Sequence, residues 1–156
     1  MTQLIKQDRM SGSDVDVGEE YKEASMLYHA VNCSGLCAFV YSNFPGADIF
    51  AQFMNAVTGW DYGIEELALA GERVLNTRQA FGAREGQNQA TFKIPGRMLG
   101  QPPFDRGPHA GISIDKDLWV KGCFDAAGWD RETGRPRREK LIELGLGDIA
   151  EELWGY

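Results

Sequence analysis

Between Ile64 and Phe81 the chain carries its longest clean amphipathic pattern, and that pattern constrains the class of fold more than any other feature. Leu67, Leu69, Ala70, Val74, Leu75 and Phe81 are apolar, with Glu65, Glu66, Glu72, Arg73 and Arg78 between them. This is the spacing of a helix that buries one face, and acidic residues early with arginines later suit its macrodipole. Similar signals recur on both sides. From Glu19 onward, Tyr21, Ala24, Met26, Leu27, Tyr28, Ala30 and Val31 predict a helix that Gly35 stops or bends. Asp48 is the expected cap of a helix carrying Ile49, Phe50, Phe53, Met54 and Val57, ending at Gly59. Asp115 or Asp117 should cap another, with Leu118, Trp119, Val120, Cys123, Phe124 and Ala127, closed by Gly128-Trp129-Asp130. A short helix over Arg138 to Leu144, stopped by Gly145, and a last turn or two over Asp148 to Trp154 complete the set. No stretch alternates with the period of a strand, so the expected class is all-α, an irregular multi-helix domain.

Two segments fall outside this pattern. Residues 1–18 are polar and are expected to form a flexible lead-in, because so little apolar surface cannot offset the entropy of ordering them. A polar start of this kind is compatible with a start inside a longer reading frame. Residues 82–114 hold Pro95, Gly96, Gly100, Pro102, Pro103, Gly107, Pro108 and Gly111. A loop this long is unusual in a compact domain and is expected to wrap a surface or line a site. The helical domain therefore runs over 19–156, as one domain or as two small subdomains sharing a core.

Charge and cysteine usage exclude several partners. The chain has 16 basic and 23 acidic residues, a net charge of -7, and no Lys/Arg-rich run. That argues against nucleic acid and gives no reason to expect an anionic membrane surface. Three cysteines do not make a disulfide framework, so a reducing, cytoplasmic compartment is expected. The first 20 residues lack the apolar core of a signal peptide, and no apolar run approaches the ~20 residues of a bilayer span.

The segment Asn32-Cys33-Ser34-Gly35-Leu36-Cys37 is where chemistry concentrates. It resembles the tungsten-containing aldehyde:ferredoxin oxidoreductase family, in which a D-x-x-G-L-C motif supplies the last cysteine of a [4Fe-4S] cluster and contacts a tungsten-bis-pterin cofactor. The resemblance continues in order along the chain. Val57-Thr58-Gly59-Trp60 is similar to the family's T-G helix end, Phe81-Gly82-Ala83-Arg84-Glu85-Gly86 to its F-N-x-R-E-G, and Ile94-Pro95-Gly96-Arg97 to its L-P-x-R. Ala127-Gly128-Trp129-Asp130, Thr133-Gly134-Arg135-Pro136, Lys140-Leu141 and Leu144-Gly145-Leu146 are similar to its closing G-W-D, G-x-P and K-L-x-x-L-G-L. Each motif alone is weak; the ordered set, from about Glu19 to the end, is strong.

The resemblance implies the C-terminal part of an enzyme that oxidises aldehydes to carboxylic acids. It implies Cys37 as the cluster ligand and Asn32, Gly35 and Leu36 as the pterin-contacting segment. The implied partners are the pterin-binding N-terminal domain of the same enzyme, ferredoxin, an aldehyde substrate and a second copy in a homodimer. The cofactor metal would be tungsten or molybdenum. Asn32 departs from the family's aspartate: an amide can donate and accept but carries no charge, so it should hold a pterin more weakly or differently. A larger departure is that the family's C-x-x-C-x-x-x-C, its D-x-x-G-L-D motif and its β-rich pterin domain are not in this chain. A cluster of this kind needs four thiolates, so the chain alone is expected to bind neither cluster nor cofactor.

Other readings of the same residues compete. The four-residue spacing of His29, Cys33 and Cys37 could present three zinc ligands on one helix face, although Gly35 should break the helix before Cys37. A non-enzymatic helical binding or assembly module derived from the family is the alternative function. Cys33 and Cys123 are expected in the core, His29 in the core or lining a channel, and His109 in solvent. Arg84 and Glu85 are expected to form a structural ion pair, Arg97 to anchor its loop, and the four tryptophans to pack in the core and at helix ends.

Overall fold

A computed structural model describes residues 14–155 of the chain. Seven α-helices run in order: α1 (Asp14–Cys33), α2 (Ala38–Tyr41), α3 (Asp48–Thr58), α4 (Ile64–Arg84), α5 (Lys116–Ala126), α6 (Arg138–Glu143) and α7 (Gly147–Trp154). Two short 3-10 helices, Gln89–Thr91 and Gly96–Leu99, lie between α4 and α5. Among the described residues the only β pairings are isolated bridges, Phe104 with Ala110 and Trp129 with Pro136. The all-α class expected from the periodicity is the observed one.

The 21-residue α4 is about 31 Å long at 1.5 Å per residue and, with α5, grips α1 from two sides. Glycine sets both contacts. A Cβ on Gly71 of α4 would lie 1.8 Å from the carbonyl oxygen of Met26 in α1, and one on Gly18 of α1 would lie 2.2 Å from that of Gly122 in α5. Without side chains at these points the backbones meet directly, and the residues one turn away interlock. Leu67 and Leu75, four residues either side of Gly71, are both buried.

Two apolar clusters result. One gathers Ala30, Val31, Phe50, Ala51 and Leu67, with Leu36, Tyr41, Phe44, Met54 and Ile64 packed against it. The other holds Leu75, Phe124, Ala127 and Trp129. The face of α4 between them is polar but satisfied. Asn76 is fully buried and accepts from Trp129 Nε1 at 2.9 Å. Gln79 and Gln89 exchange amide hydrogen bonds of 3.0 and 2.8 Å, and Gln79 also donates to Gly134 O at 2.7 Å. Glu72 Oε1 is buried with no aligned hydrogen-bond donor; its compensation is electrostatic, from Lys140 Nζ at 2.8 Å and Lys22 Nζ at 3.9 Å.

Several boundaries differ from the sequence reading. α1 begins at Asp14, ahead of the apolar pattern at Glu19, because Gly18 docks on Gly122 and anchors the first turns. Of the expected lead-in over residues 1–18, residues 14–18 are the first turns of α1, and residues 1–13 lie outside the described residues. Asp48 is the first residue of α3, which Ala47 caps with no side-chain hydrogen bond. Phe81 to Arg84 continue α4, so the Pro/Gly-rich stretch is shorter than 82–114 and is broken by the two 3-10 helices. Asp115 does cap α5, accepting from the backbone N–H of Asp117 and Leu118 at 3.0 and 3.1 Å.

Candidate functional site

The segment 32–37 is the corner between α1 and α2. Asn32 lies in the last turn of α1, where its carbonyl accepts from Gly35 N at 3.3 Å. Gly35 takes the left-handed conformation, φ +77°, with open space where a side chain would be, so it reverses the chain as its position predicts. Ser34 Oγ donates to Val31 O at 2.7 Å and accepts from Leu36 N at 3.3 Å. Leu36 then turns inward onto the first apolar cluster. Cys37 follows as the N-cap of α2, and its carbonyl accepts from Val40 N and Tyr41 N, both at 3.0 Å. The corner is thus anchored on each side of an exposed thiol.

Two of the three cysteines, Cys33 and Cys37, are exposed, and Cys123 is half-buried. Cys33 is exposed, which corrects the expectation that it sits in the core: it is the last residue of α1, past the turn that buries Ala30 and Val31. Cys123 is half-buried on α5 and burial pushes its thiol up, as expected for a packing residue. The two thiols at 32–37, Cys33 and Cys37, are too few for a four-thiolate cluster. Among the described residues no three His, Cys, Asp or Glu side chains converge to hold a metal. His29 is committed elsewhere, with Nδ1 2.7 Å from Ser25 O and Nε2 3.1 Å from Arg78 in α4. That removes the zinc reading of His29, Cys33 and Cys37.

The segments that follow Cys37 carry exposed apolar side chains. Phe39 is 85 % exposed and Val57 83 %, and Val40, Phe53, Trp60 and Tyr62 are also exposed. The face is ordered, not frayed. Phe44 stacks on Phe53 with centroids 5.6 Å apart, and Asn55 pins Tyr62 through two hydrogen bonds of 2.9 and 3.1 Å. From Ser34 to Trp60 Asp48 is the one charged residue, in a chain that is 25 % charged. That charge-poor run is the available sequence signal for these exposed side chains; periodicity places Phe53 and Val57 on their helix, and the structure leaves both exposed. Trp60, expected in packing, is likewise exposed.

Other motif residues hold the domain together. Arg84 pairs with Glu85 at 2.9 Å and reaches Glu152 of α7 at 2.5 Å, the structural role expected of it. Arg97 lies over the Phe104 ring, 4.1 Å from its centroid, anchoring the loop as expected. His109 is exposed.

Comparison with known proteins agrees with the motifs. The family model described as "Aldehyde ferredoxin oxidoreductase, domains 2 & 3" matches residues 3–146. A tungsten-containing aldehyde ferredoxin oxidoreductase from Thermococcus kodakarensis is 30 % identical over 139 residues, covering 86 % of this chain and 22 % of its own length. One from Pyrococcus abyssi matches to the same extent, and one from Pyrococcus furiosus is 31 % identical over 120 residues, covering 76 % of this chain and 19 % of its own. The chain spans about a fifth of the length of the curated relatives it matches. With the motifs in order and the match running through nearly the whole chain, it belongs to the aldehyde ferredoxin oxidoreductase family.

Proposed function

We propose that this chain forms one wall of the cofactor site in an oxidoreductase that converts aldehydes to carboxylic acids, with ferredoxin as electron acceptor. Cys37 is one thiolate ligand of a [4Fe-4S] cluster, and Asn32, Gly35 and Leu36 border a tungsten (or molybdenum) bis-pterin. When bound, the metal–pterin group supplies the two-electron oxidation and the cluster carries electrons onward. This chain's own contribution is positional: Gly35 turns the backbone, Leu36 anchors it, and Cys37 is held at the end of α2 with its thiol outward.

The observation that carries this reading is an exposed thiol, fixed between anchored neighbours, at the head of a stretch that exposes apolar side chains and has almost no charge. A single thiolate of a four-thiolate cluster has to face the polypeptide that carries the other three, and charge is depleted at the core of such contacts. The surface of Phe39, Val40, Phe53 and Val57 is therefore the one covered by the remainder of the enzyme, including its pterin-binding domain. The enzyme acts in the cytoplasm, and a homodimer contact would use a different face.

The test is to produce the chain together with the pterin- and cluster-binding remainder and to follow aldehyde-dependent reduction of ferredoxin. Assembly with bound cluster and aldehyde-driven reduction are expected. A stable assembly that binds cluster and pterin yet oxidises no aldehyde would leave only the assembly-module reading.

A further inference from the structure

The segment between α4 and α5 closes on itself. Ile114 N donates to Leu99 O at 2.8 Å and Gly111 N to Phe104 O at 2.9 Å. Gly100, at φ +68°, lies so close to Ile112 that a Cβ there would be 2.2 Å from its carbonyl oxygen. The loop so formed lines an open pocket of about 220 Å³ with Met98, Leu99, Phe104, Ile112 and Ile114, and with Arg97 and His109 as the polar side chains of its lining.

Arg97 is available to a ligand. Its guanidinium sits face-on over Phe104 at 4.1 Å, which occupies its π surface and leaves the in-plane N–H donors free. Among the described residues no carboxylate pairs with it and no side-chain acceptor takes its hydrogen bonds. Arg84, Arg131 and Arg137, by contrast, are paired with carboxylates. A planar anion suits such a fork best, because a carboxylate accepts two parallel N–H bonds. His109 adds a second polar group at the same lining. The remaining walls are apolar, and since ~150 Å³ is room enough for benzene, a pocket of about 220 Å³ has space for a ring or a short alkyl chain together with its acid group.

We propose that this loop is a binding site for a monocarboxylate bearing a short aliphatic or aromatic tail. The acid group sits on the Arg97 fork beside His109, and the tail lies against Phe104, Ile112 and Ile114. The inference stands on the geometry of the loop. It is independent of the cluster assignment at Cys37, although carboxylic acids are also the product class of the proposed reaction.

The experiment uses the 156-residue chain with sodium benzoate as probe, followed by amide chemical shifts in two-dimensional NMR. Acetate controls for charge without a tail, and benzyl alcohol for a tail without charge. Saturable shifts centred on residues 97–114 with benzoate, and markedly weaker binding of both controls, are expected. Arg97→Gln should weaken benzoate about tenfold or more, the loss of a charge-assisted hydrogen bond. Arg97→Lys should recover only part, since an ammonium neither forks nor stacks in the same way. Cys37→Ser should leave benzoate binding unchanged, which keeps this result separate from the cluster reading. Equal binding of acetate or of benzyl alcohol overturns the proposal, as does benzoate binding that is absent or indifferent to Arg97→Gln in a variant with wild-type circular dichroism.

Discussion

Gly71→Ala tests the packing on which the rest of the fold depends. The new Cβ would fall 1.8 Å from Met26 O and 3.1 Å from Ala30 N, where real Cβ atoms essentially never come closer than 3.0 Å. The shortfall of about 1.2 Å against the carbonyl has to be met by moving α1 and α4 apart, because Met26 O and Ala30 N are both backbone atoms. A gap of 0.5–1 Å already forfeits about a quarter to a half of each dispersion contact, and the residues flanking the crossing, Ala30, Val31, Leu67 and Leu75, are all buried. Overpacking of this kind costs about 1–3 kcal/mol and sometimes more. With backbone rather than a side chain as the obstacle the cost lies at or above the top of that range, about 3–5 kcal/mol, and alanine returns about 1 kcal/mol of helix propensity, so we expect a net loss of about 2–4 kcal/mol. For a domain of this size that lowers Tm by about 4–16 °C, readable by thermal or urea unfolding followed by far-UV circular dichroism. Gly147→Ala is the matched control. Gly147 opens α7 with nothing within 4 Å of its virtual Cβ, so the same chemical change there should be neutral or stabilising by up to about 1 kcal/mol. If Gly71→Ala proves as stable as the parent, the direct backbone contact of α1 with α4 is wrong.

Two further predictions concern charge. Lys140→Met should cost about 3–5 kcal/mol by leaving the buried Glu72 carboxylate without its close cation, and Glu72→Gln on top should recover most of that loss in urea titrations. Burial works to lower the Lys140 pKa, but Glu72 and Glu143 outweigh it and hold it above its ordinary value. Its contribution is therefore complete below the unfolded value of about 10.4 and should fade as pH rises through the folded value, a loss that Lys140→Met removes. The acid side has the opposite sign. Asp130 accepts from the Thr133 hydroxyl and backbone N–H at 2.7 and 2.8 Å, and these bonds, the hydroxyl first, hold its carboxyl below the usual range. Its contribution is present above about pH 3.9 and is lost as pH falls through the depressed value; Asp130→Asn should flatten that limb of the stability profile.

Much of this architecture is legible in the sequence because glycine and capping residues punctuate it. Gly35, Gly59, Gly128 and Gly145 all adopt positive φ where the helical patterns were read to stop, and Asp115 caps the helix assigned to it. What stays hidden depends on contact between distant segments. Gly71 and Gly18 read locally as weak helix formers; only their apposition to Met26 and Gly122 makes them the closest-packed points of the domain. Glu72, Asn76 and Gln79 read as a polar helix surface, yet α4 is covered on that side by the 128–140 segment, whose Trp129, Gly134 and Lys140 supply their partners. Cys33 and Cys37 look alike in sequence, and both prove exposed. The motif order, more than any property of a single residue, directs attention to Cys37. The exposure of Phe53 and Val57 is hidden because periodicity records which side of a helix is apolar, not whether this chain itself covers that side.

The most direct test of the cluster assignment is iron content and visible absorption of the assembled enzyme, measured for Cys37→Ser alongside Cys33→Ser and Cys123→Ser. Loss of cluster iron and of the broad visible band in Cys37→Ser alone is predicted, with the Cys123 variant changing stability only. A fully loaded cluster in Cys37→Ser, or equal loss in all three, would contradict the account.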